Sequence, residues 1–308
     1  MRDKFIETLT DLVAENPQIM LITGDLGFGV LDDFIDKYPR NFLNAGVAEQ
    51  NMTGIATGLA LEGRIVFTYS IANFTILRCL EQIRNDACYH QANVNVVSVG
   101  GGFSYGSLGF SHHATEDLAI MRSIPEISVF SPCGHWEVEE LTKQIINHPG
   151  TCYLRLDKSV GVDTPIYENE KFEIGKPRIL KEGFNCIIIV TGGILEEVLF
   201  AAERLDKDGI ATGILSMHTI KPINQNAMLK ALVDYDVIVT VEEHTVYGGL
   251  GSAVSEVLNN NGINNKKFQS IGLDAGFSSI VGSQKYLRKQ YGLDSNSIYQ
   301  KVLTILDD

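Results

Sequence analysis

Short apolar runs alternate with stretches of helical period along almost the whole chain, and the pattern occurs twice. The first set of runs lies at 19–23, 65–69, 94–99, 127–130 and 152–156. These short runs are mostly apolar rather than strictly alternating in polarity, as expected for strands buried on both faces of a parallel sheet. Between them Ile76, Leu80, Ile83 and Ala87 recur at helical spacing, and 136–146 reads the same way. A second set of strands falls at 187–190, 211–215, 237–241 and 268–271, with helical stretches around 195–205, 225–232, 252–258 and 283–290. From 157 to 183 the rhythm gives way to prolines and charges, which reads as a connection between units. The expected fold is therefore α/β, built from two parallel-sheet sandwich domains. We place the first domain at 1–165, the linker at 166–184 and the second domain at 185–308.

Length and charge narrow the functional classes. A chain of 308 residues is near the size at which one core gives way to two. A net charge of −13 argues against nucleic acid or an anionic membrane as partner, yet leaves room for a phosphorylated small molecule in a local basic pocket. No apolar run approaches the ~20 residues of a membrane helix, and the start of the chain lacks a signal-peptide core. The 5 cysteines are scattered without a Cys-x-x-Cys pair, which predicts reduced thiols in a cytoplasm and no metal site. No glycine cluster spells Gly-x-Gly-x-x-Gly between a strand and a helix, so dinucleotide binding is not expected.

The richest segment is Leu43-Asn44-Ala45-Gly46-Val47-Ala48-Glu49-Gln50-Asn51-Met52. It sets one carboxylate at a strand-to-helix junction among small and apolar neighbours. The helix behind it has Gly54, Ala56, Gly58 and Ala60 at alternate positions. Each helical glycine costs up to ~1 kcal/mol against alanine, which a sequence tolerates where something must approach closely. Read locally, Glu49 suits either a proton-sharing acid in a dry cleft or the cap of a tightly packed helix.

Gly46-Val47-Ala48-Glu49-Gln50-Asn51-Met52 resembles the glutamate motif of the transketolase family of thiamine-diphosphate enzymes. Further matches follow in order across nearly the whole chain. The stretch 69–85, ending Glu81-Gln82-Ile83-Arg84-Asn85, resembles the family's cofactor-stacking helix. Ser111-His112-His113-Ala114-Thr115-Glu116-Asp117 resembles the segment that lines its substrate channel. Val241-Glu242-Glu243-His244 with Gly248-Gly249-Leu250-Gly251-Ser252 resembles its C-terminal domain.

The resemblance implies roles for particular residues. Glu49 would hydrogen-bond the aminopyrimidine of thiamine diphosphate, and Phe74 would stack on that ring. Asp25 would lie near the thiazolium, although an aspartate at a strand end is also a common turn cap. His112 would contact substrate oxygens and relay protons, and Arg2 and Arg155 would hold a substrate phosphate. His113 stands where the family has glutamine. His218 and His244 fall in the second domain and are read as structural or at an interface. Departures accompany these matches: Leu108 stands where the family carries an aspartate that recognises a sugar hydroxyl, Gly100 replaces a histidine, and Gly29 replaces a serine.

The family's magnesium-holding Gly-Asp-Gly element is absent, since Gly24-Asp25-Leu26 is a different element elsewhere. The resemblance thus implies the C-terminal subunit of a split transketolase. A separate N-terminal subunit would bind the diphosphate and Mg2+ with hard oxygen ligands, in an α2β2 assembly. The alternatives are a β subunit of a 2-oxoacid dehydrogenase first component, a carboligase acting on an unusual and even nucleotide-linked sugar, or a non-catalytic scaffold subunit.

Overall fold

A computed structural model of the chain describes residues 1–158, 161–164, 166, 167 and 170–307. The first sheet contains β1 (Ile19–Thr23), β2 (Phe42–Asn44), β3 (Ile65–Ile71), β4 (Val94–Val99), β5 (Ile127–Phe130) and β6 (Thr151–Leu156). The second contains β7 (Arg178–Lys181), β8 (Cys186–Thr191), β9 (Thr212–Ser216), β11 (Val237–Thr245) and β12 (Lys267–Leu273). The remaining strand, β10 (Thr219–Lys221), follows β9 in the chain but joins the first sheet, antiparallel to β5. The strand orders are β10-β5-β6-β4-β3-β1-β2 and β12-β11-β8-β9-β7. Apart from the edge pairs β10·β5 and β7·β9, every ladder is parallel.

The segment read as a connection is thus partly structured, because Arg178–Lys181 pairs with β9. This strand and the β10 triplet escape a reading of apolar runs because they are short edge strands that include charged residues.

Packing follows from the pattern of apolar residues. The strands β4 and β8 are buried along their whole length, as expected for strands covered on both faces. Helix Arg2–Glu15 turns Phe5, Ile6, Leu9 and Val13 toward one face of the first sheet, where they meet Val138, Leu141 and Ile145 of helix His135–Ile145. In the second domain Leu195, Val198, Ala202 and Leu205 meet Ile298, Val302 and Ile305 of the C-terminal helix. A third cluster runs from one domain into the other, joining Met52 and Ile76 to Ile189, Ile238 and Leu250. Each such fully buried side chain contributes roughly 1.5–3 kcal/mol of transfer free energy.

The motif Glu242-Glu243-His244 clasps the domains. Glu242 accepts from the Leu250 and Gly251 amides at 2.7 and 2.8 Å, capping the N-terminus of helix Leu250–Asn260. Glu243 pairs with Arg288 at 2.5 Å and accepts from the Phe103 amide of the first domain. His244 Nε2 accepts from the Ala119 amide at 3.3 Å, so this buried histidine serves the domain junction.

Candidate active site

Four neighbouring parallel strands, in the order β4-β3-β1-β2, deliver their carboxyl ends to one rim of the first sheet. Crevices outside the carboxyl ends of parallel strands are the usual ligand sites of such sheets. Past β1 comes Asp25, past β2 Glu49, past β3 Phe74, and past β4 the loop that carries His112. Four of the residues singled out from sequence therefore share this rim.

Glu49 opens helix Glu49–Leu61 and is only 4% exposed. Gly24 lies against its stem, where a Cβ would come within 3.3 Å of Glu49 Cγ. Oε2 of Glu49 accepts from Arg78 Nη1 at 3.0 Å. The carboxylate borders a cavity of about 540 Å3 lined by Val47, Ala48, Gln50, Asn51 and Arg78. Asp25 is exposed and has a left-handed backbone, with φ of 58°. It is fixed by reciprocal bonds with Asn44: the Asp25 amide donates to Oδ1 and Asn44 Nδ2 donates to the Asp25 carboxylate, both at 3.0 Å.

Phe74 and His112 are edge to face with ring centres 5.2 Å apart, and the ring centre of Tyr105 lies 6.4 Å from that of His112. Burial, with His113 and Arg78 nearby, lowers the His112 imidazole from its ordinary range. His113 is buried, its Nδ1 2.6 Å from Ser278 Oγ, and so ties the loop to the second domain. Arg2 sits in the first turn of its helix with Nε 2.8 Å from Asp3, and it keeps a partly open side chain.

Arg155 does not join this set. Its side chain is 2% exposed, its Nε lies 2.8 Å from Asp117, and its Nη2 donates to the Ala114 and Glu243 carbonyls. An arginine so enclosed makes these contacts within the chain, between the two domains rather than at the rim.

No neighbour within the chain accounts for the glycine pattern. Gly54 and Gly58 are exposed with nothing within 4 Å of a built Cβ, so nothing in this chain approaches the bare side of the helix. At Gly100 the reverse holds, since Tyr105 ring atoms would stand 2.3 Å from a Cβ and leave no room for a histidine. Leu108 is 54% exposed at the end of the turn Gly106–Leu108. Sequence reasoning missed Arg78, although its place four residues after Phe74 is the spacing that puts two side chains on one helical face. A larger hollow of about 950 Å3 opens between Thr115 and the end of β12, but it holds none of the expected site residues. Among the described residues no group of three His, Cys, Asp or Glu side chains is arranged to hold a metal ion. None of the described helices is long and apolar enough to cross a membrane.

The model of the transketolase pyrimidine-binding domain matches residues 1–161, and that of the transketolase C-terminal domain matches 175–298. The chain belongs to the transketolase family. This transketolase chain is 41% identical over 308 residues to a putative transketolase C-terminal section of Methanocaldococcus jannaschii, covering 98% of the chain and 95% of that protein. It is 34% identical over 305 residues to one of the subunits of the apulose-4-phosphate transketolase of Phocaeicola vulgatus, covering 98% and 96%. A solved split-gene transketolase, described as an inactive β4 tetramer, superposes with a TM-score of 0.88 at 34% identity, covering 99% of this chain and 98% of that one. The transketolase chain is accordingly of the split, C-terminal-subunit type, and its family is that of thiamine-diphosphate-dependent transferases.

Proposed function

We propose that this subunit supplies the pyrimidine-binding half of an active site that a separate N-terminal subunit completes. The observation that carries the reading is the Glu49 carboxylate, buried at its stem, open to a cavity and flanked through Arg78 by Phe74. Only Oε2 of Glu49 has a hydrogen-bond partner among the described residues, which leaves Oε1 able to exchange a proton with a ring nitrogen. When bound, thiamine diphosphate supplies a carbon nucleophile that attacks a carbonyl. Glu49 would bind and tune the aminopyrimidine, Phe74 would stack on it, and Asp25 would lie beside the thiazolium. His112, kept neutral by its surroundings, would hold and pass protons at substrate oxygens, and Arg2 would attract a substrate phosphate.

Two observations support the partner subunit. The bare helix side at Gly54 and Gly58 faces open space, as suits close approach by another chain. The diphosphate and its cation would sit on that N-terminal subunit, held by hard oxygen ligands, in a cytoplasmic α2β2 assembly. The solved relative made of β chains alone is described as inactive. Substrate choice would depart from ordinary pentose phosphates: the exposed Leu108 offers no carboxylate to a hydroxyl, and Tyr105 fills the place beside Gly100. A relative named for apulose 4-phosphate supports an unusual sugar.

The test is co-expression with the diphosphate-binding subunit and comparison with Glu49→Gln. A loss of activity of roughly 10²-fold or more is expected. Undiminished activity would return the chain to the scaffold reading. Turnover of xylulose 5-phosphate with ribose 5-phosphate at the rate of an ordinary transketolase would refute the substrate reading.

A further inference from the structure

Arg78 touches both groups that the proposed cofactor ring would need. Its guanidinium carbon stands 4.2 Å from the centre of the Phe74 ring, and its Nη1 donates to Glu49 Oε2 at 3.0 Å. A guanidinium is flat, stacks on aromatic faces and pairs with carboxylates, so it offers Phe74 and Glu49 the same two kinds of contact as an aminopyrimidine. The burial of the two partners is unequal. The Glu49 side chain is 4% exposed whereas that of Arg78 is 48% exposed. Arg78 can therefore swing out to water at little cost, while Glu49 cannot leave and would be a buried, unpaired charge without a partner.

We propose that Arg78 is a latch on the cofactor site, occupying the ring's place in the free subunit and leaving it when thiamine diphosphate binds. The proposal rests on the reading that Glu49 and Phe74 receive the pyrimidine. Under it, cofactor affinity is a difference between two occupants of one place, and the guanidinium keeps the Glu49 carboxylate compensated until the exchange. Arg78 is then a positioning residue whose removal strengthens binding, the opposite of what loss of a cofactor contact would do.

The experiment is calorimetric titration of thiamine diphosphate, in magnesium buffer, into the complex of the full chain with its diphosphate-binding subunit. Arg78→Met keeps the length of the side chain and removes both the charge and the flat fork. Its Kd is expected to fall roughly tenfold, the sum of one half-exposed ion pair and one cation–π contact. Arg78→Lys, which keeps the charge alone, should fall between. An unchanged or higher Kd in Arg78→Met overturns the latch. Glu49→Gln and Phe74→Ala, titrated alongside, separate the two claims. If neither weakens binding, the site and the latch fall together; if both weaken it while Arg78→Met fails to tighten it, the latch alone falls.

Discussion

Nε of Arg155 lies 2.8 Å from Oδ2 of Asp117, with the two side chains 2% and 1% exposed. Burial works against the charge on Arg155, but Asp117, Asp157 and Glu243 around it outweigh that cost and hold the guanidinium protonated. Tyr153 donates to the same Asp117 oxygen at 2.7 Å. The cation thus ties the end of β6 to the loop before helix Asp117–Ser123 and to β11 of the other domain.

Removing one member of this pair should therefore unfold the chain more easily rather than alter substrate affinity. Asp117→Ala is expected to cost roughly 3–5 kcal/mol, because it strands a buried cation. Urea denaturation measures it, and a loss below about 1 kcal/mol would contradict the account. In Arg155→Met, a raised KM for a sugar phosphate with undisturbed stability would return Arg155 to the substrate site.

His218 makes acid stability a second test. It is buried against Phe172, with ring centres 4.2 Å apart, and burial pushes its imidazole down to about 4 from 6.5. A base depressed in the folded state contributes stability that is complete above the unfolded value and is lost as pH falls from 6.5 toward about 4. The full loss amounts to about 3 kcal/mol. The urea midpoint should drop across that window, and His218→Phe should flatten the drop. Identical pH profiles for the two proteins would count against it.

His112 bears on the pH dependence of activity. Its pKa is lowered by burial and by its neighbours His113 and Arg78, so it stays neutral to a lower pH than a free imidazole does. In the reconstituted enzyme, the acid limb of kcat/KM that belongs to His112 should lie below about 6.5. His112→Ala should abolish that limb and lower kcat/KM by roughly 10²-fold. Retention of the same limb in the variant would assign it elsewhere.

Gly58 separates folding from assembly. Nothing stands within 4 Å of its built Cβ, so Gly58→Ala should stabilise the isolated chain by up to about 1 kcal/mol. Gly58→Leu should fold equally well yet dissociate from the N-terminal subunit at higher concentration in sedimentation. Undisturbed assembly by Gly58→Leu would mean that the bare side stays in water.

Much of this molecule was readable in advance where burial leaves a strong pattern. The two-sided strands stand out because they are short, mostly apolar runs, and Glu49, Phe74 and His112 fall on one rim because each follows a strand of a single parallel sheet. Short edge strands such as Phe42–Asn44 and Thr219–Lys221 carry too few residues to show a period. Arg155 was not legible as an interdomain tie, because an arginine at a strand end reads the same whether it faces ligand or protein, and its partner Asp117 is far off in sequence. Gly54 and Gly58 signalled close approach, yet no surface of this chain makes it.

Thr219, paired with Phe130 across the domain junction, has a consequence for how the chain can be cut or made. The edge of the first sheet waits on residues synthesised long after the rest of it, so a ribosome releasing only the N-terminal half presents β5, paired with β6 on its inner side, with the backbone groups of its outer edge unclaimed. Fragments divided in the intervening segment would aggregate along that row rather than behave as two independent modules.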